Sequence, residues 1–448
     1  MDNKIVYPKF TKEMKATHTI LIPTMAPIHF AMMKASLECE GYNIELLTQG
    51  GSEVAQEGLK YVHNDTCYPA LLVIGQFISA LKSGKYDIEH TALLITQTGG
   101  GCRASNYIHL LRKALVKAGF PNVPVASLNF SGLEKDSGFT LSLPLLRKLI
   151  ACVYYGDLVM CLSNQTRPYE NNKGDTDALV NKCISIVSSQ FYKNSGVSKQ
   201  DLNDNFIAFA NEFSRIPITK APKVKVGVVG EIYVKYSPLG NNHLESFLDG
   251  EGCEVNVPGL MGFLEYCIFN GIKDVKLYGG SRKSLLIYNL ALKFILKREK
   301  LMLSAIKQHP EFRAPAPFRE MSKMADGIIG HGAKMGEGWL LTAEMMELVS
   351  CGFENIVCAQ PFGCLPNHIV GKGMVGKIRT IYPIANITPI DYDPSATKVN
   401  QENRIKLMLA VAKERVDINN NHHDGTLEQM PTPVSVPLAA LTPAFGNI

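Results

Sequence analysis

The chain has 448 residues, of which 46% are hydrophobic, so a disordered protein is excluded and two or three domains with sizeable cores are allowed. Forty-six Lys and Arg against 41 Asp and Glu give a formal net charge of +5, and without a dense basic block this disfavours nucleic-acid binding. Eleven cysteines without a secretory apolar segment predict a cytoplasmic protein with reduced thiols, and the charged residues inside the longest apolar stretch, 143–162, argue against a membrane span or membrane partner.

Apolar strand-like runs alternate with helical patterns through the first part of the chain. Strands are predicted at 18–27, 43–47, 91–96 and 123–130, with helical patterns between them. This alternation is typical of a parallel sheet covered by helices. We therefore predict a first α/β lobe over residues 1–163.

A second α/β set follows a more polar stretch. Residues 164–220 have charged helical patterns and predict a helical connector, and residues 221–415 again alternate strands with helices. GIIGHG, at 327–332, is one of the strands predicted in this second lobe. A final helix is expected from about residue 395 to 414, and residues 416–448 are expected to be disordered or to lie along the surface. The predicted fold is α/β, with two Rossmann-like lobes of parallel sheet joined by a helical connector.

Three cysteines stand at breaks marked by Gly or Pro. Cys67 lies in HNDTCYPA, Cys102 in QTGGGCRASNY and Cys364 in QPFGCLPNHIVGKG. Ligands gather at the carboxyl ends of strands in open α/β sheets, and two of these cysteines follow strand-like runs. Free backbone N–H groups at such turns are expected to lower the thiol pKa and favour metal binding. We predict that the three loops meet around an iron–sulfur cluster, because three thiolates can hold a [4Fe–4S] cluster and leave one iron for another ligand.

The other cysteines are weaker candidates. Cys358 lies inside a strand-like run and is either a further metal ligand or a buried packing residue. The sequence has no CxxC pair, which argues against a zinc site. Three cysteines are ambiguous (Cys253, Cys267 and Cys351), and four in helical apolar stretches are expected to pack in the core (Cys39, Cys152, Cys161 and Cys183).

Several other side chains are candidates for catalysis. Arg103 follows the second loop cysteine directly and is either an anion-binding group or a surface arginine. Glu231 ends a strand-like run, and its side chain either reaches the cleft between the two predicted lobes or is solvated. His368 lies one turn beyond Cys364. It is a candidate acid–base group or hydrogen-bond donor, and the alternative is a packed histidine. Glu337 and Trp339 occupy another strand-end loop, where the tryptophan is also a candidate core anchor.

The segment GKGMVGK, at 371–377, matches GxGxxG and nearly matches a phosphate-binding loop. Ile378 stands where that loop needs Ser or Thr, and a turn rather than a strand is expected just before it. We therefore predict that this segment does not bind a nucleotide.

The three cysteine motifs, together with VGEIYVKYSP and GEGWLLTAEM, resemble the 2-hydroxyacyl-CoA dehydratase and benzoyl-CoA reductase superfamily over residues 15–412. The likeness is closest to the cluster-binding part of acyl-CoA dehydratase activase-related proteins. It implies two α/β lobes that hold a [4Fe–4S] cluster or a double-cubane [8Fe–9S] cluster. Cys67, Cys102 and Cys364 match the cluster ligands of the family's motifs.

The resemblance also implies a reaction and its partners. A separate ATP-hydrolysing activator with its own iron–sulfur cluster would deliver low-potential electrons, for radical dehydration or for reduction of a substrate such as an acyl-CoA. It further implies a homo- or heterodimer. The alternatives are a double-cubane reductase of small molecules, a non-catalytic electron carrier or scaffold, and a zinc-binding or metal-free α/β protein.

Overall fold

A computed structural model describes residues 7–63, 66–97, 101–129 and 138–423. Its first lobe begins with apolar strands whose side chains are largely buried. The strands are β1 (Thr19–Pro23), β2 (Asn43–Leu47), β3 (Thr91–Gln97) and β4 (Val125–Asn129), and the helices are α1 (Met14–Thr17), α2 (Pro27–Cys39), α3 (Ser52–Leu59), α4 (Tyr68–Lys82) and α5 (Tyr107–Ala118).

Three helices connect the lobes. They are α6 (Leu143–Thr166), α7 (Asp175–Tyr192) and α8 (Lys199–Ser214). Ser142 caps α6 by accepting a hydrogen bond from the Leu145 N–H at 3.1 Å, and Ser198 with Asp201 forms a capping box on α8. The predicted helical connector, residues 164–220, thus begins within the last turn of α6, and the rest of that helix lies in the predicted first lobe.

The second lobe contains four more strands and a larger set of helices. The strands are β5 (Lys225–Gly230), β6 (Glu254–Asn256), β7 (Asn355–Pro361) and β8 (Asn386–Tyr392). The helices are α9 (Ile232–Tyr236), α10 (Pro238–Asn241), α11 (Leu244–Gly250), α12 (Met261–Tyr278), α13 (Arg282–Ile306), α14 (Phe318–Met324), α15 (Gly338–Ser350), α16 (Val375–Ile381) and α17 (Lys398–His423).

Each lobe has one four-stranded sheet, and the two sheets have the same topology. The strand orders are β2-β1-β3-β4 and β6-β5-β7-β8, with every neighbouring pair parallel. The predicted fold class, two Rossmann-like lobes with parallel sheets, is confirmed. In each sheet the strand order reverses beside the first strand, where open α/β sheets bind ligands at the carboxyl edge.

One continuous apolar core joins the lobes through α6. The cluster includes Leu21 and Leu93 of the first sheet, Leu158 of α6 and Val228 of the second sheet. Asp157 of α6 adds polar contacts inside this core: its carboxylate accepts hydrogen bonds from the Leu260 and Met261 N–H groups at 2.8 and 2.7 Å. These contacts set the position of one lobe relative to the other.

Two predicted elements differ from the structure. Residues 327–332 form turns rather than a strand, because the Ile328 and Ile329 N–H groups bond back to Ala325 O and Gly327 has a φ of +75°. The last helix runs to His423, beyond the predicted end near residue 414. Residues 424–448, most of the predicted tail, lie outside the described residues, as do Asn64, Asp65 and Phe130. Within the described part of the chain, no helix combines the length and apolarity needed to cross a bilayer.

Helices α3 and α4 cross through two glycines, and this crossing positions the start of α4. A Cβ at Gly75 would stand 2.0 Å from Val54 O, and one at Gly58 would stand 2.2 Å from Leu71 O. The backbones of the two helices therefore touch where no side chain fits.

We expect Gly75→Ala to lower the free energy of unfolding by about 2–3 kcal/mol, because the added methyl group forces α3 and α4 apart. Gly376→Ala is the matched control, since it also lies in a helix but has no atom within 4 Å of the added Cβ. That control should be neutral or stabilise by up to about 1 kcal/mol. Urea denaturation of both variants measures the difference, and equal effects would contradict the crossing.

Candidate functional site

The three loop cysteines each stand just before a helical segment. Cys67 is the N-cap of α4, and Cys102 precedes a 3₁₀ turn, Arg103–Asn106, that leads into α5. Cys364 lies three residues after β7 and precedes a π-helical turn, Asn367–Gly371. All three cysteines therefore lie where a loop leads into a helical segment.

The loops of Cys67 and Cys364 touch although they come from different lobes. The Tyr68 N–H donates to Phe362 O at 3.0 Å. Gly363, with a φ of +76°, has no room for a side chain: a Cβ there would stand 2.8 Å from Arg103 Nη1 and 3.2 Å from Cys67 Cα. Arg103 and Cys67 therefore lie directly against the turn that carries Cys364.

The Cys102 loop joins the same cleft from the other side. The Gly101 N–H points at Met335 Sδ, 3.3 Å away. The next residue, Gly336, packs against Pro366 of the Cys364 turn, where an added Cβ would stand 3.3 Å from the proline ring. These contacts bring all three cysteine loops together between the lobes.

Cys67 is buried and bonded to a tyrosine that the sequence analysis did not single out. Its Sγ lies 2.8 Å from the Tyr107 hydroxyl, at the start of α5. Burial raises the pKa of the Cys67 thiol to about 11, although the Tyr107 hydrogen bond opposes this, and the charge of Glu231 raises it further. Tyr107 belongs to the Cys102 motif, and its hydrogen bond links the Cys67 and Cys102 loops.

The side-chain amide of Asn367 contacts both Cys364 and Glu337. Asn367 Nδ2 lies 3.4 Å from Cys364 Sγ and donates to Glu337 Oε2 at 2.9 Å. Burial raises the pKa of the Cys364 thiol well above its usual value, and the charges of Glu337 and Glu231 add to the increase. The expected lowering of thiol pKa is thus wrong for Cys364 and Cys67 in the metal-free chain, because burial outweighs the nearby helix N-termini.

Two carboxyl groups approach the cleft from the second lobe. Glu231 directly follows β5 and caps α9, accepting from the Val234 N–H at 2.9 Å, while Glu337 accepts from the Ile232 N–H at 2.9 Å. Burial, followed by the charge of Glu337, raises the pKa of Glu231 to about 8, and burial also raises the pKa of Glu337. Two carboxyls so placed favour sharing a single negative charge, so one of them can hold a proton near neutral pH.

Several buried polar atoms around the Cys364 turn have no hydrogen-bond partner among the described residues. Both amide atoms of Gln360 lack one, as do Asn367 Oδ1 and the Tyr233 hydroxyl. Gln360 is fully buried near the end of β7. Such atoms are costly to leave unpaired, so they mark hydrogen-bonding capacity available to a bound group or water. No periodicity in the sequence signalled Gln360 or Asn367.

The other predicted site residues lie apart from the three cysteines or only at their edge. Cys358 Sγ points into an apolar cluster, where a Cβ on Gly371 would stand 3.1 Å from it, and burial raises its pKa to about 12. His368 is partly buried on the π-helical turn, and its N–H bonds to Cys364 O at 3.3 Å. Trp339 is a core anchor whose Nε1 donates to Asn270 Oδ1 at 2.9 Å.

The remaining cysteines divide by burial. Cys152 and Cys183 are buried packing residues, as expected, and Cys253 is also buried. Cys39, Cys161 and Cys351 are partly exposed, and Cys267 is exposed. The GKGMVGK segment is helical almost throughout, with the π-helical turn before it rather than a strand, so it lacks the context of a phosphate-binding loop.

Thiols are the side chains that hold iron–sulfur clusters, so the fit of such a cluster here rests on the three loop cysteines. Across residues 7–63, 66–97, 101–129 and 138–423, no three His, Cys, Asp or Glu side chains are arranged to hold one metal ion. A four-iron cluster keeps its thiolates farther apart than the ligands of one ion, and three cysteines leave the fourth iron open. Cys67, Cys102 and Cys364 would be its ligands, with Tyr107 and Asn367 as outer hydrogen-bond partners of two of the sulfurs.

Comparisons with known proteins identify no relative: no protein-family model matches the chain, and no curated protein sequence matches it.

The raised pKa of Glu231 predicts a pH dependence of stability in the metal-free chain. Because the folded state holds the proton up to about pH 8 while the unfolded carboxyl releases it near 4.5, stability falls as pH rises through this window. We expect Glu231→Gln to flatten that part of the profile, since the amide stays neutral. Urea denaturation of the metal-free wild type and variant from pH 4.5 to 8 measures it. An unchanged slope in the variant would exclude Glu231 as its source.

Proposed function

We propose that the chain is a cytoplasmic iron–sulfur protein of the 2-hydroxyacyl-CoA dehydratase type. It accepts low-potential electrons from a separate ATP-hydrolysing activator and uses them for radical dehydration or reduction of a substrate, with acyl-CoA thioesters as the candidate substrate class. The single observation that carries this proposal is the meeting of three cysteine loops, from both lobes, in one cleft.

The cleft contains the groups that such a protein needs around its cluster. When bound, a [4Fe–4S] cluster supplies one-electron transfer and an open iron that can bind an oxygen ligand. Cys67, Cys102 and Cys364 supply thiolate ligands, and iron binding requires the two thiols of raised pKa to lose their protons. Asn367 orients Cys364 through its amide, and Tyr107 does the same for Cys67 through its hydroxyl.

The carboxyl pair provides proton transfer beside the thiols. A carboxyl whose pKa lies near neutral pH is suited to general acid–base chemistry, since both of its protonation states are accessible. Glu231 is the group for this role, because Glu337 is already held by two hydrogen bonds from the Ile232 N–H and Asn367. Such a group is needed to remove a proton from an α-carbon, and also to deliver a proton to a departing hydroxyl.

Arg103 is the group for anion recognition at the edge of the cleft. Arg103 is an exposed residue, and its Nη1 lies against the Gly363 turn, 2.8 Å from where a Cβ on Gly363 would stand. A fixed cation here would favour an anionic substrate and a more negative cluster state. Arg103→Ala should therefore weaken activity or shift the cluster potential without loss of iron.

We expect the chain, purified without oxygen, to contain at least four iron and four sulfide per molecule. Cys364→Ala should lose or degrade the cluster, because the substitution removes one of its three proposed thiolate ligands. Cys358→Ala is the matched control on the same strand–turn segment, and it should keep its iron since Cys358 faces the apolar cluster. Iron and sulfide analysis with EPR before and after reduction gives the comparison.

The result can contradict the proposal in two ways. Colourless protein that contains zinc or no metal would exclude an iron–sulfur function. Full iron in Cys364→Ala with iron loss in Cys358→Ala would place the ligands elsewhere in the chain. An iron content near eight would instead assign the double-cubane cluster.

A further inference from the structure

A cavity lies at the amino edge of the second sheet, at the opposite end of the strands from the cysteine cleft. It has a volume of about 380 Å³, and its lining includes Lys225 and Glu254, the first residues of β5 and β6. Strand β5 runs through six residues to Gly230, directly before Glu231, so the cavity and the cleft lie roughly 20 Å apart along the strand. The volume is within the range of about 300–1,000 Å³ that small-molecule sites have. The cavity is therefore large enough for a ligand of its own.

The lining of this cavity is rich in lysine. It contains Lys220, Lys223 and Lys225, and none of the three forms an ion pair with a residue that the structure describes. Partial burial lowers the pKa of Lys220, the charge of Glu254 opposes this decrease, and the charges of Lys225 and Arg313 add to it. The positive groups are therefore close enough to repel one another, and a bound anion would relieve that repulsion.

An aromatic ring and the backbone beside it position two of these lysines. Lys220 Nζ lies 4.0 Å and Lys223 Nζ lies 5.8 Å from the ring centre of Tyr169. The Thr219 N–H donates to Tyr169 O at 2.9 Å, which fixes the backbone just before Lys220. Contacts between an ammonium group and an aromatic ring are attractive. The two lysines are thus held at the cavity before any ligand binds.

The carboxylate of Glu254, which also lines the cavity, already has other partners. It is buried, accepts a hydrogen bond from the Tyr169 hydroxyl at 2.7 Å, and lies 3.8 Å from Arg313 Nη1. The Arg313 guanidinium in turn lies 4.2 Å from the ring centre of Phe353, and Lys225 Nζ lies 5.9 Å from the same centre. Glu254 is therefore engaged by Tyr169 and Arg313, and the three lysines stay available to an external anion.

We propose that this cavity binds a small anion that carries a diphosphate group. Phosphate oxygens are strong acceptors for lysine and arginine donors. Two linked phosphates carry roughly three negative charges at neutral pH, which matches the three lysines of the lining. Inorganic pyrophosphate and a nucleoside diphosphate share this chemistry. The site lies apart from the cysteine cleft, so it does not depend on the proposed iron–sulfur function.

Such a ligand would join three parts of the chain. Tyr169 and Lys220 belong to the segments that connect the lobes, Lys225 begins the second sheet, and Val416 lies on α17. All four line the same cavity, so an anion bound there would hold the connecting segments against the second lobe. A ligand that binds only the folded chain also stabilises it by mass action.

The test is isothermal titration calorimetry of the full chain, purified without oxygen, with inorganic pyrophosphate in about 0.05 and about 0.5 M NaCl. We expect binding that weakens at the higher salt. Orthophosphate should bind at least about tenfold more weakly, because a single phosphate reaches fewer of the lysines. Lys220→Gln/Lys225→Gln should raise the Kd for pyrophosphate at least about 30-fold, because it removes two charge-assisted contacts. Circular dichroism and iron content should match those of the wild type, which separates this inference from the proposed iron–sulfur function.

Lys293→Gln/Lys297→Gln is the matched control, with the same loss of charge on exposed lysines of α13, and it should leave the Kd unchanged. Adenosine diphosphate separates the two sources of the ligand. An affinity equal to that of pyrophosphate assigns the diphosphate group alone, and a higher affinity assigns a nucleotide. The proposal would be overturned by pyrophosphate that fails to bind at low salt, by orthophosphate that binds as tightly, or by equal losses in the two variants. A short RNA that binds more tightly than pyrophosphate would also overturn it.

Discussion

The carboxylate of Asp157 is the contact on which the arrangement of the lobes depends. It is buried on α6, lies 2.8 Å from His29 Nε2 of α2, and accepts hydrogen bonds from the Leu260 and Met261 N–H groups at the start of α12 in the second lobe. Hydrogen bonds to an ionised carboxylate are stronger than neutral ones, and a buried carboxylate that lost them would be strongly destabilising. Gly259 leaves room for this contact, since a Cβ there would stand 2.6 Å from Asp157 Oδ2. One side chain therefore ties the first lobe, the connector and the second lobe together.

Once the lobes are held in this way, their common topology brings the site together. The second sheet pairs β5 with β7, and the register places Gly230 opposite Ala359. Glu231 and the Cys364 turn consequently emerge side by side from the same carboxyl edge. In the first sheet, β3 leads towards Cys102, and α4, which begins at Cys67, lies in the crossover from β2 to β3. Parallel sheets concentrate their loops at one edge, so residues almost 300 positions apart in sequence meet in one cleft.

The parts of this arrangement that follow from local pattern could be predicted from the sequence. Apolar runs predicted the four strands of the first lobe, and Gly or Pro beside three of the cysteines marked their loops. The run GIIGHG at 327–332 was predicted wrongly because its isoleucines fit a strand equally well, while Gly327 adopts a left-handed turn conformation. The parts that depend on tertiary contacts could not be predicted. Tyr107 and Asn367 act through their spatial neighbours, and the thiol pKa values depend on burial that no sequence window contains.

Burial also explains how one cleft can collect so many acidic groups. Two thiols and two carboxyls converge there, and burial raises the pKa of each of Cys67, Cys364, Glu231 and Glu337, so burial disfavours the negatively charged form of each group. A positively charged metal group reverses this preference, because it stabilises the thiolates that burial disfavours. Binding of the proposed cluster would therefore be coupled to proton release from the thiols. The carboxyl pair remains beside them as a proton reservoir, since its two members favour sharing one negative charge. The burial that disfavours the thiolates would in this way make the binding of the proposed iron–sulfur cluster depend on pH.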